Sequence, residues 1–425
     1  MQVFKFGGAS VKDAESVKNV EQLLRNYGSA ETVVVISAMG KTTNLLEALS
    51  MAYFKGGEEA LVIFESLKAY HQKIAADLFP AAHPIFDELE NVYVELLWIL
   101  EEPPSFSYNH HYDQLVSQGE ILSTKIVAAY LNDQALNTKW FDARNIIQTD
   151  NSYREGKVDM ELSAKLAEEQ LLPALKKHGL VVTQGFIGGT SENFTTTLGR
   201  EGSDYTAALL AYFINAEKVV IWKDVPGVLN ADPKFFKNTK KINELSYHDA
   251  IELTYFGASV IHPKTIKPLQ NKNIPLYVRS FLHPAEEGTV IRQDGPRNAF
   301  TSYIFKDQQI LISIMPKDFS FIAEDNLSDI FSIFSRHTIH IHLMQNSALS
   351  FSVCTDDEED KLQPLLEDLQ RSYKVLYNRH VQLMTVRNYD QATISKLSEN
   401  KTILLEQRNR SVHQMVMRED KGLTD

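Results

Sequence analysis

Residues 2–6 alternate apolar and polar side chains, and Gly7-Gly8-Ala9-Ser10 breaks the strand that this alternation predicts. Val17, Val20, Leu23 and Leu24 then recur at helical spacing, and Ser10 with Asp13 fits the cap signature that opens such a helix. Thr32–Ala38 is a largely β-branched run, the pattern of a strand buried on both faces of a parallel sheet, and a helix beginning at Leu45-Leu46 follows it. Residues 45–100 keep a helical period with breaks at Pro80 and Pro84, and Pro103-Pro104 follows; Tyr93 and Trp98 read as core. A helix Ile121–Tyr130, a short strand near Thr138–Asp142, and strands Leu180–Ile187, Lys218–Trp222 and Ile274–Phe281 continue the pattern, with a helical stretch Ser246–Phe256 among them. Strands alternating with helices predict an α/β fold with a mainly parallel sheet.

The pattern changes after Asp294-Gly295-Pro296, which reads as a linker. Strand Ile310–Ile314 precedes a helix stripe at Leu327, Ile330, Phe331 and Phe334. Ile339, Ile341 and Leu343 alternate as a strand, Phe351 and Val353 mark another, Leu362, Leu365, Leu366 and Leu369 form a second helix, and Val375–Tyr377 a further strand. That order is β-α-β-β-α-β, the ferredoxin-like arrangement. Three strand-like runs remain, near Val381–Arg387, Thr402–Glu406 and Val412–Met417, with one short helix, Ala392–Leu397. His340 and His342 face one side of their strand, but no third ligand accompanies them, so they read as a solvated or interface face.

At 425 residues the chain has room for two or three domains. Its 44% apolar and 23% charged residues are ordinary for a soluble globular protein. A net charge of -12 argues against a general nucleic-acid or anionic-membrane binder, so an anionic substrate must be met by a local cluster of positive charge. The single cysteine, Cys354, excludes an intrachain disulfide framework and reads as a strand residue. No basic segment followed by a long apolar core opens the chain, and no run of 18 apolar residues occurs, which together predict a cytoplasmic location.

The polar loops fall after strands, where α/β sheets place ligands. Lys5 ends the first strand ahead of Gly7-Gly8, which reads as a phosphate cradle. Ser37, Thr43 and Asn44 are small hydrogen-bonding groups after the second strand; Gly40-Lys41-Thr42 lacks the earlier glycine of a Walker loop. In Thr195–Ala211, Gly199 and Gly202 bracket Arg200 and Glu201, Ser203 is placed to cap the next helix, Arg200 suits a carboxylate or phosphate, and Asp204 suits Mg²⁺ or a cation. Glu120 either favours its helix dipole or accepts a substrate ammonium. Lys223-Asp-Val-Pro-Gly227 is a turn, and the adjacent His110 and His111 read as surface residues.

Lys5-Phe-Gly-Gly-Ala-Ser-Val11, Ser117–Glu120, Thr196–Asp204, Trp222–Gly227 with Asp232-Pro233, and Tyr255-Phe-Gly-Ala258 with His262-Pro263 together resemble the aspartate kinases. Each motif is weak, but five in the family's order are specific. The resemblance implies an amino-acid-kinase αβα sandwich over residues 1–295 and an ACT regulatory region over 296–425, its second ACT unit reduced. It implies ATP with Mg²⁺, L-aspartate as acceptor, a homo-oligomer formed through the ACT region, and the entry step to lysine, threonine and methionine synthesis. By position, Lys5, Gly7, Gly8 and Ser10 meet the transferring phosphoryl group; Arg200 takes the α-carboxylate and Glu120 the ammonium of aspartate. Ser37, Thr43 and Ser203 complete that pocket, and Asp204 organises Mg²⁺ or the lysines. Lys223, Asp224, Leu229, Lys234, Ser259 and Val260 surround the nucleotide. Aspartate kinases usually carry Thr where this chain has Ala9, a small residue where it has Glu201, and Thr, Tyr, Arg and Lys where it has Lys223, Leu229, Lys234 and Ser259. Ser259 and Leu229 motivate a second expectation, a catalytically weakened ACT-containing amino-acid sensor or subunit, and a same-fold kinase acting on another small carboxylate is a third. The reduced second unit implies weak or absent feedback inhibition by lysine or threonine.

Overall fold

A computed structural model describes residues 1–57, 59–258, 261–296, 300–318 and 320–419. The chain forms two compact units: residues 1–228, 241–251 and 260–296 make the first, and residues 229–240, 252–259 and 297–425 the second. Among the described residues no helix is long and apolar enough to cross a membrane.

The first unit is built on an eight-stranded sheet in the order Glu244–Ser246, Thr289–Arg292, Leu276–Ser280, Val219–Lys223, Gln2–Phe6, Thr32–Ile36, Leu180–Gln184, Thr138–Phe141. Every pairing is parallel except that between Leu276–Ser280 and Thr289–Arg292. Gln2–Phe6 lies in the middle and is buried at all five positions, so alternation there separates two packed faces, not core from solvent. Phe4, Phe6, Val34, Ile36, Val182, Val220 and Trp222 share one face with the helices Ala14–Tyr27, Thr42–Lys55, Glu59–Leu78, Ile85–Glu101 and Gln118–Asp133. Phe6 stacks on its register partner Trp222, ring centroids 6.1 Å apart. Lys5 belongs to the other row, beside Val35 and Ile221, and the helix Gly202–Phe213 packs on that side of its strand.

Local chemistry moved several boundaries. Asp13, not Ser10, caps the first long helix, accepting from Ser16 N at 2.8 Å, while Ser10 sits in a 3₁₀ turn over Gly8–Val11. The second helix starts at Thr42, three residues before the first leucine. The strand expected to run through Ile187 stops at Gln184; Ile187–Gly189 then pairs with Thr195–Thr197 in a separate ribbon. The cause is a tight bend: Phe186 takes φ 72°, and a Cβ on Gly185 would lie 2.5 Å from Ser203 Cβ. His110 and His111 are buried, because His110 stacks on Phe106 at 4.3 Å and meets Phe194 edge-on. Trp98, expected in the core, is 65% exposed.

The second unit holds a six-stranded antiparallel sheet ordered Leu343–Asn346, Phe351–Asp356, Ser302–Pro316, Tyr373–Arg387, Val412–Glu419, Lys401–Arg408. The two central strands are 15 residues each, far longer than the runs Ile310–Ile314 and Val375–Tyr377 suggested. Their register shifts between Lys306 and Gln309, so one pair of strands serves two ACT-like halves. In one half, Ile310, Ile312 and Ile314 pack under helices Glu324–Arg336 and Glu359–Ser372. The strand expected at Ile339–Leu343 forms only at Leu343–Asn346: Thr338 turns at φ 52°, and pairing starts where His342 N donates to Cys354 O. Ile339 and Ile341 still pack on the core from irregular chain.

Among the described residues the other half has the single short helix Gln391–Leu397. Phe236, from the excursion 229–240, packs with Tyr303, Phe305, Tyr389 and Leu397 around Met384 and Met415. The buried Arg387 guanidinium pairs with Glu252 of the excursion 252–259. Chain from elsewhere in the sequence therefore covers a face that one short helix leaves open. Replacing Gly185 by Ala in the first unit forces Ser203 off the sheet and should cost about 2 kcal/mol of stability in urea unfolding.

Candidate active site

Lys5 reaches the site from the middle strand of the first unit. Its Nζ lies 2.6 Å from Asp204 Oδ1, and both side chains are nearly buried. Lys223, at the end of the neighbouring strand, approaches Asp204 Oδ2 at 3.6 Å. Burial pushes the Asp204 carboxyl up, but the ammonium groups of Lys5 and Lys223 outweigh it and hold it below the usual carboxylate range. Asp204 lies in the first turn of Gly202–Phe213, where the helix dipole also favours negative charge. One carboxylate thus fixes two cations, and the trio carries a net positive charge inside an acidic protein.

Gly7 sits beside the Lys5 ammonium: a Cβ there would lie 3.5 Å from Nζ. Gly8 brings two loops into backbone contact; Gly40 N donates to Gly8 O at 3.0 Å, and a Cβ on Gly8 would meet Ala38 O at 2.7 Å. Ser10 Oγ is buried in this cradle with no hydrogen-bond partner among the described residues. Helix Glu59–Leu78 braces both loops, since Tyr70 OH donates to Lys12 O and His71 lies 3.4 Å from Thr42 Oγ1. Burial lowers the His71 pKa to about 4, so this brace is neutral.

Glu120 stands in the first turn of Gln118–Asp133, 2% exposed. Its Oε1 accepts from Ala38 N at 3.3 Å, while Oε2 is buried without a hydrogen-bond partner among the described residues. Burial raises its pKa to about 8, only partly offset by the Ala38 N–H and the Lys5 charge. A helix-dipole role does not require such burial. Ser37 is half-buried at the end of its strand, its N donating to Phe6 O and its carbonyl accepting from Ser123 Oγ at 2.8 Å. Thr43 is half-buried in the first turn of Thr42–Lys55.

Helix Gly202–Phe213 begins two residues earlier than a cap at Ser203 implied. Glu201 holds the cap position at φ 54°, and Ser203 is a buried first-turn residue, not the cap. Glu201 had no assigned role, yet its Oε2 accepts from His262 N at 2.8 Å. Arg200 is exposed and has no hydrogen-bond or ion-pair partner among the described residues. Asp113, which no motif had marked, supports this corner: fully buried, it accepts from Arg154 N, Thr197 N and Thr197 Oγ1 at 2.7–2.9 Å. Its helix carries no pattern that distinguishes a buried carboxylate from an exposed one.

Asp224 is exposed beyond Lys223. Leu229 and Lys234 belong to the second unit, where Lys234 N donates to Asp232 Oδ1 at 2.8 Å. Ser259 and Val260 lie outside the described residues. In the second unit, His342 pairs with Asp356 at 2.9 Å while His340 is exposed, so the two histidines do not converge.

Residues 1–280 match the family model described as the amino acid kinase family. The lysine-sensitive aspartokinase 3 of Escherichia coli (strain K12) is 35% identical over 359 residues, 83% of this chain and 78% of that protein. The chain belongs to the amino acid kinase family, among the aspartokinases. The chloroplastic aspartokinase 3 of Arabidopsis thaliana is 31% identical over 90% of this chain and 71% of its own length. The crystal structure of E. coli aspartokinase III in complex with aspartate and ADP, in the R-state, matches with a TM-score of 0.83 at 29% identity, covering 98% of this chain and 96% of that one. The T-state complex of the same enzyme with lysine and aspartate gives a TM-score of 0.81 at 30% identity, over 99% and 96% of the two chains.

In this aspartokinase the raised pKa of the buried Glu120 makes stability depend on pH. Its carboxyl ionises near 4.5 when unfolded and at about 8 when folded, so the unfolded state binds fewer protons between those values and stability falls as pH rises. Melting curves should show wild type losing Tm relative to Glu120→Gln from pH 5 to pH 8, with the difference constant below pH 4.5. A pH-independent gap would contradict the assignment.

Proposed function

We propose that the protein transfers the γ-phosphoryl group of ATP to the side-chain carboxylate of L-aspartate, giving ADP and 4-phospho-L-aspartate, the first step toward lysine, threonine and methionine. The observation that carries this reading is the Lys5–Asp204–Lys223 trio beside the Gly7-Gly8 cradle, in a chain of the aspartokinase family. The acceptor is already ionised at neutral pH, so no general base is needed. A carboxylate oxygen forms the new bond to phosphorus as the bond to the bridging oxygen of ADP breaks. Catalysis then rests on alignment and on offsetting charge at the equatorial oxygens. Lys5 supplies that charge, and Asp204 keeps it aimed. With Gly7, Gly8 and Ser10 it receives the phosphoryl group, Ser10 through its unpaired hydroxyl.

Arg200 takes the α-carboxylate of aspartate, and Glu120 Oε2 its ammonium, with Ser37, Thr43 and Ser203 around them. Binding a cation pulls Glu120 into its ionised form. Lys223 and Asp224 attend the nucleotide; Leu229, Lys234, Ser259 and Val260 are assigned to it by their positions in the family's motifs alone. Both Asp204 oxygens face lysines, and among the described residues no group of three His, Cys, Asp or Glu side chains gathers around the trio. Mg²⁺ therefore fits as a passenger on the nucleotide phosphates, where it would neutralise charge, and not as a protein-caged ion. Residues 1–295, apart from the excursions 229–240 and 252–259 that fold with the second unit, make the catalytic part, and residues 296–425 the regulatory one, through which copies of the chain associate. The chain works in the cytoplasm.

Hydroxylamine trapping with ATP, Mg²⁺ and either aspartate or glutamate tests the reaction directly. Aspartyl hydroxamate is expected; none from either acid would leave an amino-acid sensor in its place, and glutamyl hydroxamate alone a different kinase. Arg200→Ala should raise the KM for aspartate by roughly a hundredfold while changing that for ATP little, as loss of a charge-assisted bidentate contact requires. Equal effects on both would remove Arg200 from the aspartate pocket.

A further inference from the structure

Glu201 is the one non-glycine residue of the Gly199–Asp204 turn that the catalytic reading leaves without work. Its backbone sits at φ 54° and ψ 27°, a conformation that glycine adopts freely and a side chain resists. A non-glycine residue held in this conformation within a site raises the question of what its side chain does. The side chain is in fact engaged: Oε2 accepts from His262 N at 2.8 Å, 61 residues away in sequence. His262 in turn caps the helix Pro263–Asn271, its Nδ1 accepting from Lys264 N at 3.2 Å. The carboxylate thus stands at the positive end of a second helix, next to an orphan backbone donor.

We propose that Glu201 is a positioning residue for Arg200, clamping the turn that carries the guanidinium to the start of the Pro263–Asn271 helix. Arg200 itself is exposed and has no partner among the described residues, so nothing in its own side chain fixes its direction. What fixes it is the backbone on either side. On one side Gly199 turns at φ 77°, packed against Glu155; on the other Glu201 is held by His262. Releasing the Glu201 bond leaves the anchor on a turn tethered only through Gly199 and the helix behind it. The aspartate site would then lose pre-organisation while the Lys5–Asp204–Lys223 trio stays intact. The inference rests on Arg200 being the aspartate anchor.

The backbone strain makes a discriminating test available. Glu201→Gly relieves the positive φ, so a purely structural role predicts an enzyme as stable as wild type or more so, and unchanged kinetics. The clamp predicts the same stability with a KM for aspartate raised roughly tenfold, near-normal kcat, and a KM for ATP within about twofold. Glu201→Ala should show the same KM split, and Glu201→Gln, which keeps an acceptor oxygen, should restore the KM for aspartate to within about threefold. A wild-type KM for aspartate in both the Gly and Ala variants overturns the proposal, as does a Gln variant no better than Gly or an equal rise in both KM values. Failure of the underlying reading appears elsewhere, as wild-type protein forming no aspartyl hydroxamate or as Arg200→Ala with an unchanged KM for aspartate.

Discussion

The ion trio of Lys5, Asp204 and Lys223 is the constraint that the catalytic unit is arranged to satisfy. Two ammonium groups and a carboxylate cannot be taken out of water cheaply, and geometry must repay the cost. The sheet supplies that geometry. Lys5 and Lys223 sit on adjacent parallel strands, and the helix that carries Asp204 packs on the Lys5 side of the sheet. Burial of Lys5 and Asp204, with Lys223 half-buried beside them, is tolerable because the carboxylate faces one lysine with each oxygen. The residual positive charge is the local answer to a chain whose overall charge is -12.

Around that trio, close backbone approach matters as much as side-chain chemistry. Gly8 allows two loops to bond to each other, and Gly185 lets the first turn of the Asp204 helix press against the end of a sheet strand. Tyr70 and the neutral His71 brace the loops from a helix that reads, in sequence, as filler. Glu120 is the opposite case, a carboxyl kept half unsatisfied in the interior. Its cost to stability is intelligible if a cation is meant to complete it, and the free protein is then poised against its own ligand.

The second unit shows a different economy. Two 15-residue strands run through both halves of one sheet, so each half is registered to the other by continuous backbone. One half is covered by two helices; the other has one short helix and borrows cover from residues 229–240 and 252–259. The excursions belong in sequence to the catalytic unit. Their route explains why the last residues of the chain look too short for a full second module.

Much of this was legible in the residues themselves. The strand–helix alternation, the glycine loops after strands, the shift near Gly295 and the ferredoxin-like order follow from periodicity and turn chemistry, which are local. So was the identity of Lys5, Glu120, Arg200 and Asp204 as candidates, because their motifs are contiguous. What stayed hidden was decided by residues far apart in the chain. The aromatic nest that buries His110, the three donors converging on Asp113, and the bond from Glu201 to His262 each join segments that no window of sequence contains. The register break in the long central strands, and the strand that waits until Leu343, depend on pairing partners more than on the alternation within each segment. Sequence named the charged groups of the site; only the tertiary structure decided which of them are paired, which are left open, and which hold another in place.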